Sequence, residues 1–184
     1  AKRRANQTPL NLIGSIIASL AIVGFLIAIG VGEPPERQLV DYQATAAELQ
    51  AGGDFDVVAP VVPPTWSANR AGLSGSGGVT EWYVGFVTDP DATDAGFIAL
   101  VQGFEGNSTW LSDLLRNPRS EGEQVTIGDI DWTLYDRRGA TDLGNRAYAL
   151  VTETEDSTIV LYGTAEESDF QLLATAIAAE LAAP

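Results

Sequence analysis

The chain has 184 residues, 45% of them hydrophobic, and a formal net charge of −15, with no cysteine, histidine or methionine. This length suits one domain with an additional segment, and the apolar content excludes a disordered chain. The chain lacks the thiols and imidazoles that ordinarily ligate zinc, copper, haem or iron–sulfur clusters, and it has no Ser–His or Cys–His pair.

Charge divides the chain into two parts. Lys2, Arg3 and Arg4 are the only charged residues before Glu33, so residues 1–11 form a basic tail. The part beyond residue 32 has seven arginines against 25 acidic residues, a net charge of −18. This acidity argues against nucleic acid as a partner, and it suits either a solvated surface or a docking face for a basic partner.

The uncharged run over residues 12–31 predicts a transmembrane helix, because twenty residues at about 1.5 Å each span the bilayer core. The run is longer than a signal-peptide core of about 7–15 residues, so we predict a retained anchor. The basic tail predicts a cytoplasmic N-terminus and an extracytoplasmic remainder. Small residues let a partner helix approach closely, although they are common in any membrane helix. The predicted partner-binding residues are Gly14, Ala18, Ala21, Gly24 and Ala28.

Residues 32–64 are predicted to be a connector, with a short helix at 41–51, and residues 65–184 an extracytoplasmic domain. Prolines in "DVVAPVVPPTW" favour extended backbone, and "NRAGLSGSGG" is predicted to be a loop. The alternation in "TEWYVGFVT" predicts a strand with Trp82, Val84 and Phe86 on one face. "GFIALVQGF" is apolar throughout and predicts a central strand, and "NSTWLSDLLRN" predicts a short helix.

Two hairpins and a helix complete the domain. Gly128-Asp129 suits a two-residue turn that places Ile127 opposite Ile130. A second hairpin turns around residues 155–156, and the C-terminal helix carries an apolar stripe with a capping box over residues 164–167. The order β-β-α-β-β-β-β-α predicts an α+β fold, an antiparallel sheet packed by helices.

Candidate chemical sites have simpler structural interpretations. "GLSGSGG" lacks the lysine and the strand-to-helix context of a phosphate loop, and the aspartates at 89–94 lack the glycine and glutamate of an EF-hand. Asp129 and Asp131 could act as paired carboxylates, but their position suits a solvated hairpin end. Four tryptophans could line a cleft, but they suit a core. Asn107 begins a possible glycosylation sequon.

Several landmarks follow one another in a set order: the basic tail and apolar helix, then "VPPTW", "EWYVGF", "GFIALVQ", "TIGDIDWTLY", "RAYALV" and "TIVLYGTAEESDFQLLATAI". This order resembles an actinobacterial single-pass membrane-protein family catalogued as a domain of unknown function, family forty-two forty-five, over nearly the whole chain. The resemblance implies no activity, catalytic residue or cofactor. The order of elements is also similar to the sandwich of Mog1/PsbP-like domains, which implies an accessory role around a membrane complex.

We therefore expect a non-enzymatic, membrane-anchored accessory subunit with no cofactor or metal. Its partners would be the lipid bilayer and integral membrane subunits of a larger complex, reached through the helix and the acidic domain. In an actinobacterium a respiratory supercomplex would be a reasonable host. The alternative is an extracytoplasmic module that binds a small ligand or a cell-envelope component, and an enzyme using carboxylates is a third possibility.

Overall fold

The structure is a computed structural model that describes residues 16–25, 39–118 and 122–183. The chain divides into two units, Ala1–Arg37 and Gln38–Pro184. In the first unit, residues 16–25 form helix α1. The transmembrane helix predicted over 12–31 also includes residues 12–15 and 26–31, which lie outside the described residues. No helix in the described part of the chain has both the length and the apolar character needed to cross a membrane.

The described residues of the second unit form three further helices, one 3-10 turn (Gly144–Arg146) and seven strands. Its helices and strands are, in chain order, α2 Tyr42–Gly52, β1 Ser67–Ser76, β2 Val79–Thr88, β3 Gly96–Phe104, α3 Ser108–Leu114, β4 Glu123–Ile127, β5 Ile130–Asp136, β6 Tyr148–Glu153, β7 Ser157–Gly163 and α4 Glu167–Leu181.

The strands form one antiparallel sheet in the order β1-β2-β3-β7-β6-β5-β4. The last strand of the chain, β7, pairs with β3 on one side and β6 on the other. It therefore joins two groups of strands that are each consecutive in sequence. The predicted α+β class and antiparallel sheet are confirmed.

The β4–β5 hairpin has the predicted register, with Ile127 opposite Ile130 and Val125 opposite Trp132. Gly128 and Asp129 both have positive φ, 62° and 64°, as a two-residue turn between twisted strands requires. The turn and the apolar pattern agree on one register, so the side chains of β5 reach the core face as the sequence predicts.

Both faces of the sheet are covered, but to different extents. Trp82, Val84 and Phe86 point to one face, where they pack in the main core with residues of α2 and α4. The opposite face packs against α3 through Trp110, whose ring fits against Gly103 of β3. Strand β3 is buried on both faces because it lies near the middle of the sheet.

Strand β1 replaces the loop predicted at "NRAGLSGSGG". Glycine and serine weaken a strand when considered alone, but β1 pairs along its length with β2. The turn that joins them uses Gly77 and Gly78, whose φ angles of 58° and 82° favour glycine. Backbone pairing and this turn therefore outweigh the low strand propensity of the segment.

Part of the predicted connector 32–64 belongs to the folded unit. Ala46 of α2 is 1% exposed and packs in the main core. Residues 55–62, here called the strap, follow α2 and run over the sheet without pairing as a strand. Side chains bind the strap backbone instead: Val58 N donates to Gln102 Oε1 at 2.9 Å, and Trp82 Nε1 donates to Val58 O at 2.8 Å.

Helix α4 has the predicted apolar stripe over most of its length, with Phe170, Leu173 and Ile177 fully buried, but Leu181, the last residue of the predicted stripe, is 39% exposed. The predicted capping box over residues 164–167 does not form. Glu166 occupies the N-cap position and makes no side-chain capping hydrogen bond. The first turn still contains two acidic residues, Glu167 and Asp169, whose negative charges stabilise the helix by interacting with the positive N-terminal end of its dipole.

Candidate functional site

The predicted partner-binding residues fall on and around α1. Gly14 and Ala28 lie outside the described residues. Ala18, Ala21 and Gly24 are helical and exposed. At 3.6 residues per turn these three lie within about 120° of one another around the helix axis. A Cβ added at Gly24 would meet no atom within 4 Å, so a neighbouring helix could approach there.

The rest of α1 is apolar on every side. Six large side chains are at least half exposed, at fractions from 50% to 66%, and no charged residue lies within 16–25. A helix that is apolar all round requires apolar surroundings. The exposed large residues of α1 are Ile16, Ile17, Leu20, Ile22, Val23 and Phe25.

A second candidate site is an acidic cleft at one end of the sheet. Two adjoining cavities of about 660 and 570 Å³ share their walls there. The walls come from five segments: the one after α2, the β1–β2 turn with the start of β2, the end of β3, the β6–β7 turn and the end of α4. Seven carboxylates line this acidic cleft: Asp54, Asp56, Glu105, Glu153, Glu155, Asp156 and Glu180.

Two aromatic rings form the apolar part of the acidic cleft. The rings of Phe55 and Phe104 lie 4.8 Å apart at an angle of 47°. The β6–β7 turn is held by Ser157 N, which donates to Thr154 Oγ1 at 3.1 Å, and by Thr154 N, which donates to Ser157 O at 2.8 Å. Carboxylates around aromatic rings suit a cationic group, since both the charges and the ring faces attract it.

Glu180 connects the acidic cleft to the strap. Ala59 N donates to Glu180 Oε1 at 2.8 Å, whereas Oε2 is buried and has no hydrogen-bond partner among the residues that the structure describes. Burial raises the pKa of Glu180, the hydrogen bond from Ala59 lowers it, and the charge of Asp56 raises it further. The Glu180 carboxylate therefore binds the backbone of the strap, although burial leaves the ionised form of this carboxylate poorly solvated.

The other sequence candidates take structural roles. Asp131 accepts a hydrogen bond from the Thr126 hydroxyl at 2.9 Å on an exposed strand face, and Asn107 caps α3 by accepting from Trp110 N at 3.0 Å. Residues 89–94 form a turn. Among the described residues, no three His, Cys, Asp or Glu side chains are grouped to hold a metal ion. The four tryptophans are 0–9% exposed and pack in the cores.

Sequence reasoning did not find the acidic cleft, because its walls come from five segments that are distant from one another along the chain. The one local signal is the acidic run at residues 153–156, which closes the second hairpin. Taken alone, this run predicts only a turn. Glu105 and Glu180 join it because β3 and α4 end at the same side of the sheet as the β6–β7 turn.

Residues 4–177 match the model of one protein family, described as "Protein of unknown function (DUF4245)". The chain belongs to this family. Membership of DUF4245 confirms the domain-of-unknown-function family that the order of landmarks suggested, and it assigns no activity to any residue. No curated protein and no solved structure matches the chain.

Proposed function

We propose that this DUF4245 protein is a non-enzymatic, single-pass membrane-anchored subunit that docks on integral membrane proteins. The observation that carries the proposal is α1, a helix with large apolar side chains exposed on all sides. Exposed apolar area costs roughly 25 cal/mol per Å² in water, so these side chains favour a lipid or protein environment. The basic tail keeps the N-terminus in the cytoplasm and the Gln38–Pro184 unit outside it.

The small residues Ala18, Ala21 and Gly24 support docking as well as anchoring. In lipid, helices associate mainly through close packing, because apolar side chains gain little by leaving the lipid tails. Glycine and alanine on one side of α1 permit that closeness. A simple anchor needs only apolarity, so larger residues at these positions would leave anchoring intact and weaken docking.

The acidic cleft would supply a second contact, to a lysine- or arginine-rich segment of the same partner. Its carboxylates and the two phenylalanine rings suit such side chains. Anchoring both proteins in one membrane raises their effective concentration, so a weak charge contact suffices. A respiratory assembly is the first host to examine.

The topology can be tested with the natural chain because it contains no cysteine. Ser76, exposed at the β1–β2 turn, is replaced by cysteine, and intact cells are treated with a membrane-impermeant maleimide. We expect labelling before lysis, and an added cysteine in the basic tail labelled only after lysis. Labelling of Ser76→Cys only in lysed cells would contradict the extracytoplasmic placement.

Docking through α1 is tested by co-purification in mild detergent. Ala18→Leu combined with Gly24→Leu should release the partner chains while leaving the protein in the membrane fraction. Ile16→Leu combined with Val23→Leu, on the opposite side of α1, is the matched control and should retain them. If both variants retain every partner, α1 is only an anchor. If the natural protein brings down no other chain, the subunit proposal fails.

The charge contact is tested by neutralising the acidic cleft. Glu105→Gln with Glu155→Gln should make the retained complex dissociate at lower salt than the natural protein does, because fewer charges oppose dissociation. Asp94→Asn with Glu123→Gln removes the same charge elsewhere on the exposed surface and should leave the salt dependence unchanged. If both double variants shift the salt dependence equally, the contact depends only on the net charge of the protein and not on the acidic cleft.

A second candidate function is a module that binds a small cationic ligand. The observation in its favour is the size of the acidic cleft, about 660 Å³ with an aromatic floor. In this case spermidine should bind the full chain in detergent, and Glu105→Gln with Glu155→Gln should weaken it. Saturable binding combined with an absence of co-purifying chains would favour this alternative.

A further inference from the structure

A further cavity, of about 370 Å³, lies beside α3 on the sheet face opposite the main core, and it is called the side groove below. Strand β5 lines it with Asp131, Thr133 and Tyr135, β6 with Val151 and Glu153, and α3 with Leu111. Apolar and hydroxyl-bearing side chains make up most of this lining. The side groove therefore differs in character from the acidic cleft, whose lining is mostly carboxylate.

The alternation of β5 supplies one wall of the side groove. Trp132 and Leu134 pack in the main core. Successive side chains of a strand point to opposite faces, so Asp131, Thr133 and Tyr135 form a row on the face that carries α3. Thr133 and Tyr135 are partly buried and Asp131 is exposed, so a ligand in the side groove can reach all three side chains.

The pairing of β5 with β6 gives the direction and length of the side groove. Tyr135 is opposite Ala149 and Thr133 is opposite Val151, whose side chain is 5% exposed and forms the floor. Glu153 lies two residues further along β6, so four residues of β6 separate the two ends of the groove. At about 3.3 Å per residue this distance is about 13 Å, which is the length of about four residues of extended peptide.

The opposite wall is α3, and both of its ends are held in place. Asn107 caps the start of α3. At the other end Arg146 Nε donates to Leu114 O at 2.6 Å, and Arg137 Nη2 donates to Leu115 O at 2.7 Å. The side groove is therefore formed before any ligand arrives, and binding needs little ordering of its walls.

One end of the side groove meets the acidic cleft. Glu153 lines both the side groove and the larger cavity of the acidic cleft. Asp131 lies at the same end, where its carbonyl accepts from Thr152 Oγ1 at 2.9 Å. Both carboxylates are exposed, and among the described residues neither forms an ion pair. The side groove thus continues the acidic cleft, with carboxylates where the two meet and with Leu111 and Val151 beyond them.

We propose that the side groove binds an apolar side chain of the same extended, lysine- or arginine-rich segment that docks in the acidic cleft. This inference rests on the proposed docking contact and specifies its partner: an extended peptide with leucine or a similar residue within about four residues of its basic side chains. Charge complementarity brings such a segment to the acidic end, and the apolar side chain then packs between Leu111 and Val151. The apolar contact adds the specificity that exposed charges alone lack.

The test uses fluorescent peptides and the full chain in uncharged detergent at low salt, with binding followed by fluorescence anisotropy. The probe has three arginines, then Gly-Ser, then two leucines, and a second probe has the reverse order because the direction of the segment is open. In the control peptides serine replaces both leucines. Probe and control carry the same charge, so the ratio of their affinities isolates the apolar contact.

We expect the leucine probe, in at least one order, to bind the natural protein about tenfold more tightly than its serine control, as burial of a leucine side chain predicts. Leu111→Ala should reduce this ratio to about threefold or less. Leu114→Ala is the matched control and should keep the ratio, because Leu114 is a partly buried leucine of the same helix that does not line the side groove. Thr133→Arg puts a long side chain across the groove and should also abolish the preference, which keeps the test decisive if Leu111→Ala does not fold.

Equal binding of the leucine and serine peptides in both orders would overturn the proposal, as would a tenfold preference that survives Thr133→Arg. A preference lost equally in Leu111→Ala and Leu114→Ala would show that general packing of α3 is responsible, which also overturns it. The serine peptide reports the acidic cleft separately, because Glu105→Gln with Glu155→Gln should weaken its binding. If that peptide binds in this way and leucine adds nothing, only the side groove fails. If neither peptide binds, the charge contact of the proposed function fails as well.

Discussion

Replacing Gln102 by leucine should destabilise the folded unit strongly, because one buried amide holds the strap to the sheet. Gln102 is 3% exposed. Its Oε1 accepts from Val58 N at 2.9 Å, and its Nε2 donates to Asp56 O at 2.9 Å and to Ser157 Oγ at 3.0 Å. Leucine keeps the approximate volume and removes all three hydrogen bonds.

The expected cost follows from the groups that lose their partners. A buried group without its hydrogen bond costs about 1–3 kcal/mol, and the hydrogen bonds to Val58 N and Ser157 Oγ are both buried. The added apolar surface of leucine offsets part of the loss. We therefore expect the free energy of unfolding to fall by about 3 kcal/mol.

The measurement is urea unfolding of the full chain in uncharged detergent, followed by tryptophan fluorescence. All four tryptophans lie within Gln38–Pro184, so the signal reports this unit. Gln124→Leu is the matched control, because Gln124 makes one exposed hydrogen bond, to Thr133 Oγ1 at 2.8 Å. A loss below about 1 kcal/mol for Gln102→Leu, or equal losses in the two variants, would refute the role assigned to Gln102.

Three further predictions concern the core, a close backbone contact and pH. Trp132→Ala should lower stability by about 3–5 kcal/mol in the same assay, because the ring is 0% exposed, and Leu172→Ala, at a side chain 41% exposed, should have little effect. Gly163→Ala should lower the free energy of unfolding by about 3 kcal/mol or more, because the added Cβ would overlap the carbonyl of Phe97. Gly139→Ala is the control and should be nearly neutral, because the space around Gly139 is open. Equal melting temperatures of the two variants would contradict this prediction. The pKa of Glu180 is raised by burial, so the folded state binds its proton more readily than the unfolded state, and stability from this group falls as pH rises through the interval between the two pKa values. Glu180→Gln keeps an acceptor for Ala59 N and should flatten this decline, whereas a pH profile identical to that of the natural protein would show that another group causes it.

The sequence predicts those parts of the fold that local rules determine. The β4–β5 hairpin follows from a two-residue turn and alternating side chains, and α4 follows from an apolar stripe. It does not predict β1, whose glycines become a strand only because β2 supplies the pairing. It predicts the extended backbone of the strap from its prolines, but not the position of the strap over the sheet, which depends on side chains up to 121 residues away in sequence.

The candidate sites differ in the same way. The apolar and small residues of one helix are visible in the sequence, so the sequence predicts α1 over residues 16–25, the part that the structure describes. The acidic cleft could not be predicted, because it assembles residues from segments that are far apart in the sequence.

The position of β7 has a consequence for how the protein is made. Synthesis proceeds from the N-terminus, so β1–β3 and β4–β6 are complete before β7 exists. Until then β3 and β6 each present an unpaired edge of apolar residues, the kind of surface through which nascent chains associate wrongly. Only when Ser157–Gly163 has been added between them, with α4 following to cover the core, can the two half-sheets join. The strands made before β7 must therefore be protected by a chaperone or by the ribosome until Ser157–Gly163 and Glu167–Leu181 have been made.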